Sequence, residues 1–187
     1  MERVPSPADS ASHGDPRVDL LRHFLATLAY RTQKALRGAP PEYADHRVAP
    51  NARTPHELVW HMTGLMGYVV VLFRGGVWQP DRLDTFDEEI RRFHAQLERV
   101  DELLRTQPLP AGVGPERLLQ GPLADAMTHA GQLAILRRCV GDPVAPENFL
   151  RADVDVRELG PEQPPPRAPK EGWSPDQPPP APGRPLR

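Results

Sequence analysis

Four segments of this chain repeat apolar residues every three or four positions, and residues that start and stop helices bracket each one. Two open on complete capping boxes, Thr54-Pro55-His56-Glu57 and Thr85-Phe86-Asp87-Glu88. In such a box the Thr side chain and the Glu three residues on satisfy each other's backbone amides. Behind the second box Phe86, Ile90, Phe93, Leu97, Val100 and Leu104 keep helical spacing to about Gln107, before Pro108 and Pro110. The first segment is capped by Asp15, has Pro16 in its first turn and carries Leu20, Leu21, Phe24, Leu25, Leu28 and Leu36 to about Arg37. The last starts near Gly121-Pro122 and ends at Val140, with Gly141 and Pro143 as its stop; residues 115–120 read as a short extra turn. No stretch alternates convincingly as a strand would, so the expected fold is all-α, a four-helix bundle. Connections of about ten to sixteen residues between the first three helices leave room for a crossover.

The ends differ in kind. Residues 1–15 are polar and Pro-bearing and read as a disordered segment, residues 16–150 as the bundle, and residues 151–187 as a Pro-rich, extended or disordered tail. Eleven of the last 27 residues are proline, and the composition alone leaves open whether this tail docks near Phe149 and Trp173 or hangs free. A proline-recognition partner is a weak reading, because no charged PxxP context accompanies the prolines.

A net charge of −2 with no basic stripe argues against nucleic-acid binding. Arg91–Arg92 and Arg137–Arg138 are expected on exposed helix faces beside acids. One cysteine excludes an intrachain disulfide and suits the reducing cytoplasm; Cys139 is expected as a small core residue. Met1 to Pro16 lacks the apolar stretch of a secretory signal. Leu58 to Phe73 is strongly apolar but short, and contains His61, Thr63, Gly64 and Gly67, so it reads as a core helix and no membrane span is expected. Val69, Val70, Val71 and Phe73 cover several faces of that helix, which suggests a homodimer.

Asp125 and His129 lie four residues apart and share a helix face with Leu133, Leu136 and Val140. A carboxylate and an imidazole facing an apolar side need a partner, and a divalent cation is one. His61 repeats the pattern beside Leu58, Leu65, Tyr68 and Leu72. Three protein ligands, His61, Asp125 and His129, with an open position form the catalytic rather than the structural arrangement for zinc. Mixed nitrogen and oxygen donors also admit nickel, iron or manganese. Gln132 is a candidate to orient a ligand by a hydrogen bond. Glu57 is explained by its capping box, with general base or fourth ligand as the sharper alternative. Tyr68 is assigned either to the pocket or to the core. His56 and His94 are expected to be partly exposed and unrelated to the site; His13, His23 and His46 have no partner pattern.

The stretch Thr54-Pro55-His56-Glu57-Leu58-Val59-Trp60-His61-Met62 resembles the second-helix signature of the DinB/YfiT-like superfamily, metal-binding four-helix-bundle proteins. Gly121-Pro122-Leu123-Ala124-Asp125-Ala126-Met127-Thr128-His129-Ala130-Gly131-Gln132-Leu133 resembles its last-helix signature. The resemblance covers about residues 16–150. It implies a frequently dimeric bundle with a divalent metal on three side chains, usually three histidines. His61 and His129 match two of these positions, and Asp125 stands where the third histidine usually is. The resemblance further implies thiol-dependent chemistry. The expected function is therefore a metal-dependent enzyme acting on a small molecule, most simply a transferase using a low-molecular-weight thiol as cosubstrate. A metal-dependent hydrolase and a non-catalytic, stress-related metal-binding protein are the alternatives.

Overall fold

The computed structural model describes residues 15–167 and 173–175. Four long helices form where the apolar periodicity predicts them: α1 (Pro16–Leu36), α2 (Pro55–Arg74), α3 (Phe86–Thr106) and, after a one-turn α4 (Pro115–Leu118), α5 (Ala124–Cys139). The described residues contain no strand, and no helix among them is long and apolar enough to cross a membrane. α2 packs on α3 and α5, and α1 packs on α5 and α3, so the four run around one core. Leu25 and Leu28 of α1, Met62 and Met66 of α2, Phe93 and Leu97 of α3, and Leu133 of α5 fill it with almost no exposed surface.

The helix starts follow local chemistry. Asp15 accepts from the Arg17 amide, and both Thr–Glu capping boxes close as the sequence predicts. The start of α5 departs from expectation. The helix does not open at Gly121-Pro122; a wide π-type turn, Leu119–Leu123, joins α4 to α5, with Gly121 at non-helical angles. Pro122 lacks an amide hydrogen and its ring crowds the carbonyl four residues back, so a regular helix cannot run through it. This turn packs against α2.

Mid-helix, Gly67 has a tertiary reason. The Trp78 indole from the α2–α3 connection lies directly on it, and a Cβ there would come within 2.2 Å of the ring. Glycine's propensity cost is exchanged for that close approach.

Several burial expectations are corrected. Leu20 is 70% exposed, because the core side of α1 is taken by Leu21, Leu25 and Leu28. Cys139, the last residue of α5, is exposed rather than packed. Arg137 is buried instead of solvated: its guanidinium donates to the carbonyls of Ala35 and Arg37 at the end of α1, and to Asp142. A cation there satisfies carbonyls that α1 leaves unpaired. His56 is buried against the Phe86 ring, which closes over it from the start of α3.

His94 is also buried, because chain beyond α5 covers it: its Nδ1 donates to the Leu159 carbonyl at 2.6 Å. That chain is docked through the described part of the tail. The Tyr30 hydroxyl donates to Glu147 at 2.6 Å, Lys34 pairs with Glu147 at 2.9 Å, Arg37 donates to the Gln163 and Pro164 carbonyls, and Leu159 joins the core. The expectations for residues 1–14 and for tail residues 168–172 and 176–187 lie outside the described residues.

Two outcomes follow. Burial, opposed only by the Leu159 carbonyl, holds His94 down to about 4 from 6.5. The unfolded chain therefore takes up this proton first, and stability is full above 6.5 and falls as pH drops through that window. Urea unfolding should show this loss, up to about 3 kcal/mol, and His94→Asn should flatten the slope between those limits. Arg137→Met should cost roughly 2–3 kcal/mol by the same measurement, because it strands the α1 carbonyls without donors.

Candidate metal centre

Three polar side chains meet where α2 faces the beginning of α5. His61 comes from the second turn of α2, whose phase is set by the Thr54 capping box; Asp125 and His129 come from successive turns of α5. Their donor atoms all lie within 4.8 Å of one another. His129 Nε2 is 3.1 Å from Asp125 Oδ1, and His61 Nε2 is 3.7 Å from Asp125 Oδ2. The imidazole rings meet edge to face, with centroids 4.8 Å apart. Donors at about 2.0–2.2 Å from a tetrahedral ion lie about 3.3–3.6 Å apart; the two carboxylate–imidazole separations fall close to that range, and the cluster as a whole, within 4.8 Å, closes on an ion by small side-chain shifts.

The protons support the same fit. His129 Nδ1 and Gln132 Oε1 are 2.8 Å apart. With the amide oxygen facing the ring, Nδ1–H donates to it, which turns Nε2 toward Asp125. Nε2 lies 3.1 Å from a carboxylate oxygen, a separation that a proton or a metal ion between the two atoms satisfies. His61 is held below the ordinary histidine range, first by burial and then by the positive charge of Arg53, against the pull of Asp125. A neutral imidazole is the form that ligates.

The site differs from the sequence expectation in one respect. Asp125 does not face the apolar interior; its side chain is 46% exposed, against 10% for His129. The carboxylate stands at the mouth of the cluster, where water reaches it. Desolvation is therefore not what asks for a counter-charge; the convergence of three donors is.

The remaining candidates fall outside the cluster or beside it. Gln132 sits where a ligand-orienting residue was expected. Glu57 is committed to the helix cap and to arginines: Oε2 accepts from the Thr54 amide at 2.9 Å and Oε1 from Arg47 at 2.8 Å, with Arg82 at 4.0 Å. These contacts, the backbone bond first, hold its carboxyl below the usual range. Tyr68 is 53% exposed on the outer side of α2, so it belongs neither to the core nor to the cavity wall.

That cavity has no counterpart in the sequence reading. A cleft of about 760 Å³ opens beside His129, between the loop before α2 and the flank of α5. Val48, Arg53, Leu58, Gln132 and Ile135 line it. No periodicity marks loop residues such as Val48 and Arg53, and only the packing of the loop onto α5 brings them to the site. Compared with protein-family models, with curated proteins and with solved structures, the chain matches none.

Removing the orienting bond should weaken metal affinity without unfolding the protein. Gln132→Leu is expected to lower nickel or zinc affinity about 10- to 100-fold in calorimetric titrations, with the helical circular dichroism unchanged.

Proposed function

We propose that His61, Asp125 and His129 hold a divalent cation and that the protein is a metal-dependent enzyme of the DinB-like type acting on a small molecule. The single observation that carries this reading is the convergence of three donors: His129 Nε2, its ring oriented by Gln132, lies 3.1 Å from an Asp125 oxygen and is joined by His61 from a second helix. The all-α arrangement of four long helices, and the placement of the three donors at the positions the sequence resemblance marks, support the superfamily assignment.

Zinc is the first choice for this donor set, and nickel, iron and manganese share its ligand types. A divalent ion bound here supplies Lewis acidity, which lowers the pKa of a thiol or water that reaches it. The chain's own residues set the strength of that effect. Gln132 fixes the His129 tautomer. Asp125 leaves the site one positive charge short of a three-histidine site, so acidification is weaker. The thiol reading follows the resemblance: a low-molecular-weight thiol gives its proton to solvent, its sulfur bonds to an electrophilic carbon, and the bond from that carbon to the leaving group breaks, the leaving group taking the electron pair.

A structural role for the cation is the second reading, favoured by the way the donors link α2 to α5. Elemental analysis, thermal melting with and without chelator, and transfer assays of cysteine or glutathione onto small electrophiles separate the two. The expected result is one ion per chain, lost in His61→Ala and His129→Ala, together with thiol transfer that the same variants abolish. Strong chelator destabilisation without turnover would leave the structural role alone. Asp125→His should move the acidic limb of the pH–rate profile to lower pH; an unchanged or raised limb contradicts the charge argument.

A further inference from the structure

The cleft beside His129 carries an unbalanced charge. Its lining includes one arginine, Arg53, and no acidic residue. Three arginines surround the start of α2, and two of them are accounted for. Arg47 donates to Glu57 and to the Ala52 carbonyl, and Arg82 stands 4.0 Å from the same Glu57. Glu57 in turn is occupied by the Thr54 amide. Arg53 has neither an ion pair nor a hydrogen bond to any described residue, and its charge reaches His61 across the site.

Other clefts carry acids beside their cations. The groove beside α1 contains Arg17 with Glu116, the cleft near Phe149 contains Arg31, Lys34 and Arg138 with Glu147, and the one at the end of α1 contains Arg37 and Arg91 with Asp87 and Glu162. In the cleft beside His129 the rest of the wall is of two kinds. Val48 and Ile135 present exposed hydrocarbon, 52% and 61% of their surfaces, over a floor of the buried Leu58 and Leu136. Asn51 supplies an amide with no hydrogen bond to a described residue. An exposed apolar wall with one free guanidinium at its edge selects a molecule with a hydrocarbon body and one anionic end.

We infer that this cleft binds a small amphipathic organic anion, its carboxylate on Arg53 and its hydrocarbon body against Val48, Leu58, Ile135 and Leu136. The inference names the ligand class for the site proposed above, and it rests on that reading only for the ligand's being a substrate. Guanidinium fits the carboxylate because its planar fork donates two parallel hydrogen bonds to the two oxygens. The volume, about 760 Å³, lies within the range of small-molecule sites.

Octanoate, octylammonium and 1-octanol serve as probes in calorimetric titrations of the full chain, without metal and with one equivalent of zinc. Octanoate should bind at least about tenfold more tightly than either of the others, and Arg53→Met should remove about tenfold of that affinity. Arg53→Lys should keep part of it, and Ile135→Asp should lose it. Octanoate should also shift the Ile135 methyl resonances in the wild-type chain. Arg53 is exposed and bonds to no described residue, so its replacement leaves the fold intact, which circular dichroism checks. Equal affinity for octylammonium, an undiminished affinity in Arg53→Met, or unmoved Ile135 methyls would overturn the inference. Zinc stoichiometry separates the two readings. Arg53→Met that still binds one zinc while its octanoate affinity falls about tenfold supports both. A wild-type chain that binds octanoate through Arg53 and takes no zinc retains the anion cleft and removes the metal centre.

Discussion

The packing of α2 against the start of α5 is the contact on which the site depends. His61 alone is a half-exposed histidine on one helix, and Asp125 with His129 is an ordinary pair one turn apart on another. Only the lateral contact between the two helices brings the three donors within reach of one ion. The wide turn at Leu119–Leu123 sets the terms of that contact. Because Pro122 cannot continue a regular helix, α5 starts afresh at Ala124, and Asp125 falls in its first turn beside α2. Wide turns of this type recur at functional sites because they re-aim the residues that follow them.

Charge is distributed around this point with a clear asymmetry. Asp125 is the only acid of the cluster, and it stands on the solvent side. His129 lies inside, its ring held by Gln132, and forms the wall shared with the neighbouring cleft. On the far side of that cleft Arg53 is left over after Glu57 has engaged Arg47 and Arg82. Negative charge is thus confined to the place where a cation would neutralise it, and positive charge is left where an anion could enter. Long-range steering and local pairing act in the same direction in such an arrangement.

The chain beyond α5 has a different task. It returns across α1 and α3, placing Leu159 in the core and its carbonyl on His94, while Glu147 joins Tyr30 and Lys34. Arg137 ties the end of α1 to the loop that begins this return. These contacts tie the side of the bundle away from the three clustered side chains, and they leave the mouth of the cluster open.

Much of this was legible beforehand, and for local reasons. Helix positions followed from apolar spacing, and helix starts from the Thr54 and Thr85 boxes, because caps and periodicity act within a few residues. The triad was legible because an i, i+4 pair needs only one helix to define its face. What escaped was set by partners distant in sequence. His56 and His94 are buried because Phe86 and Leu159 close over them, and Arg137 is buried because the end of α1 offers it carbonyls. Asp125 is half exposed because it sits in the first turn of α5, at the edge of the bundle. Arg53 and the cleft depend on a loop folding back onto α5. Periodicity specifies which face of a helix is apolar; only tertiary packing decides what covers that face, and which polar groups are left at its edge.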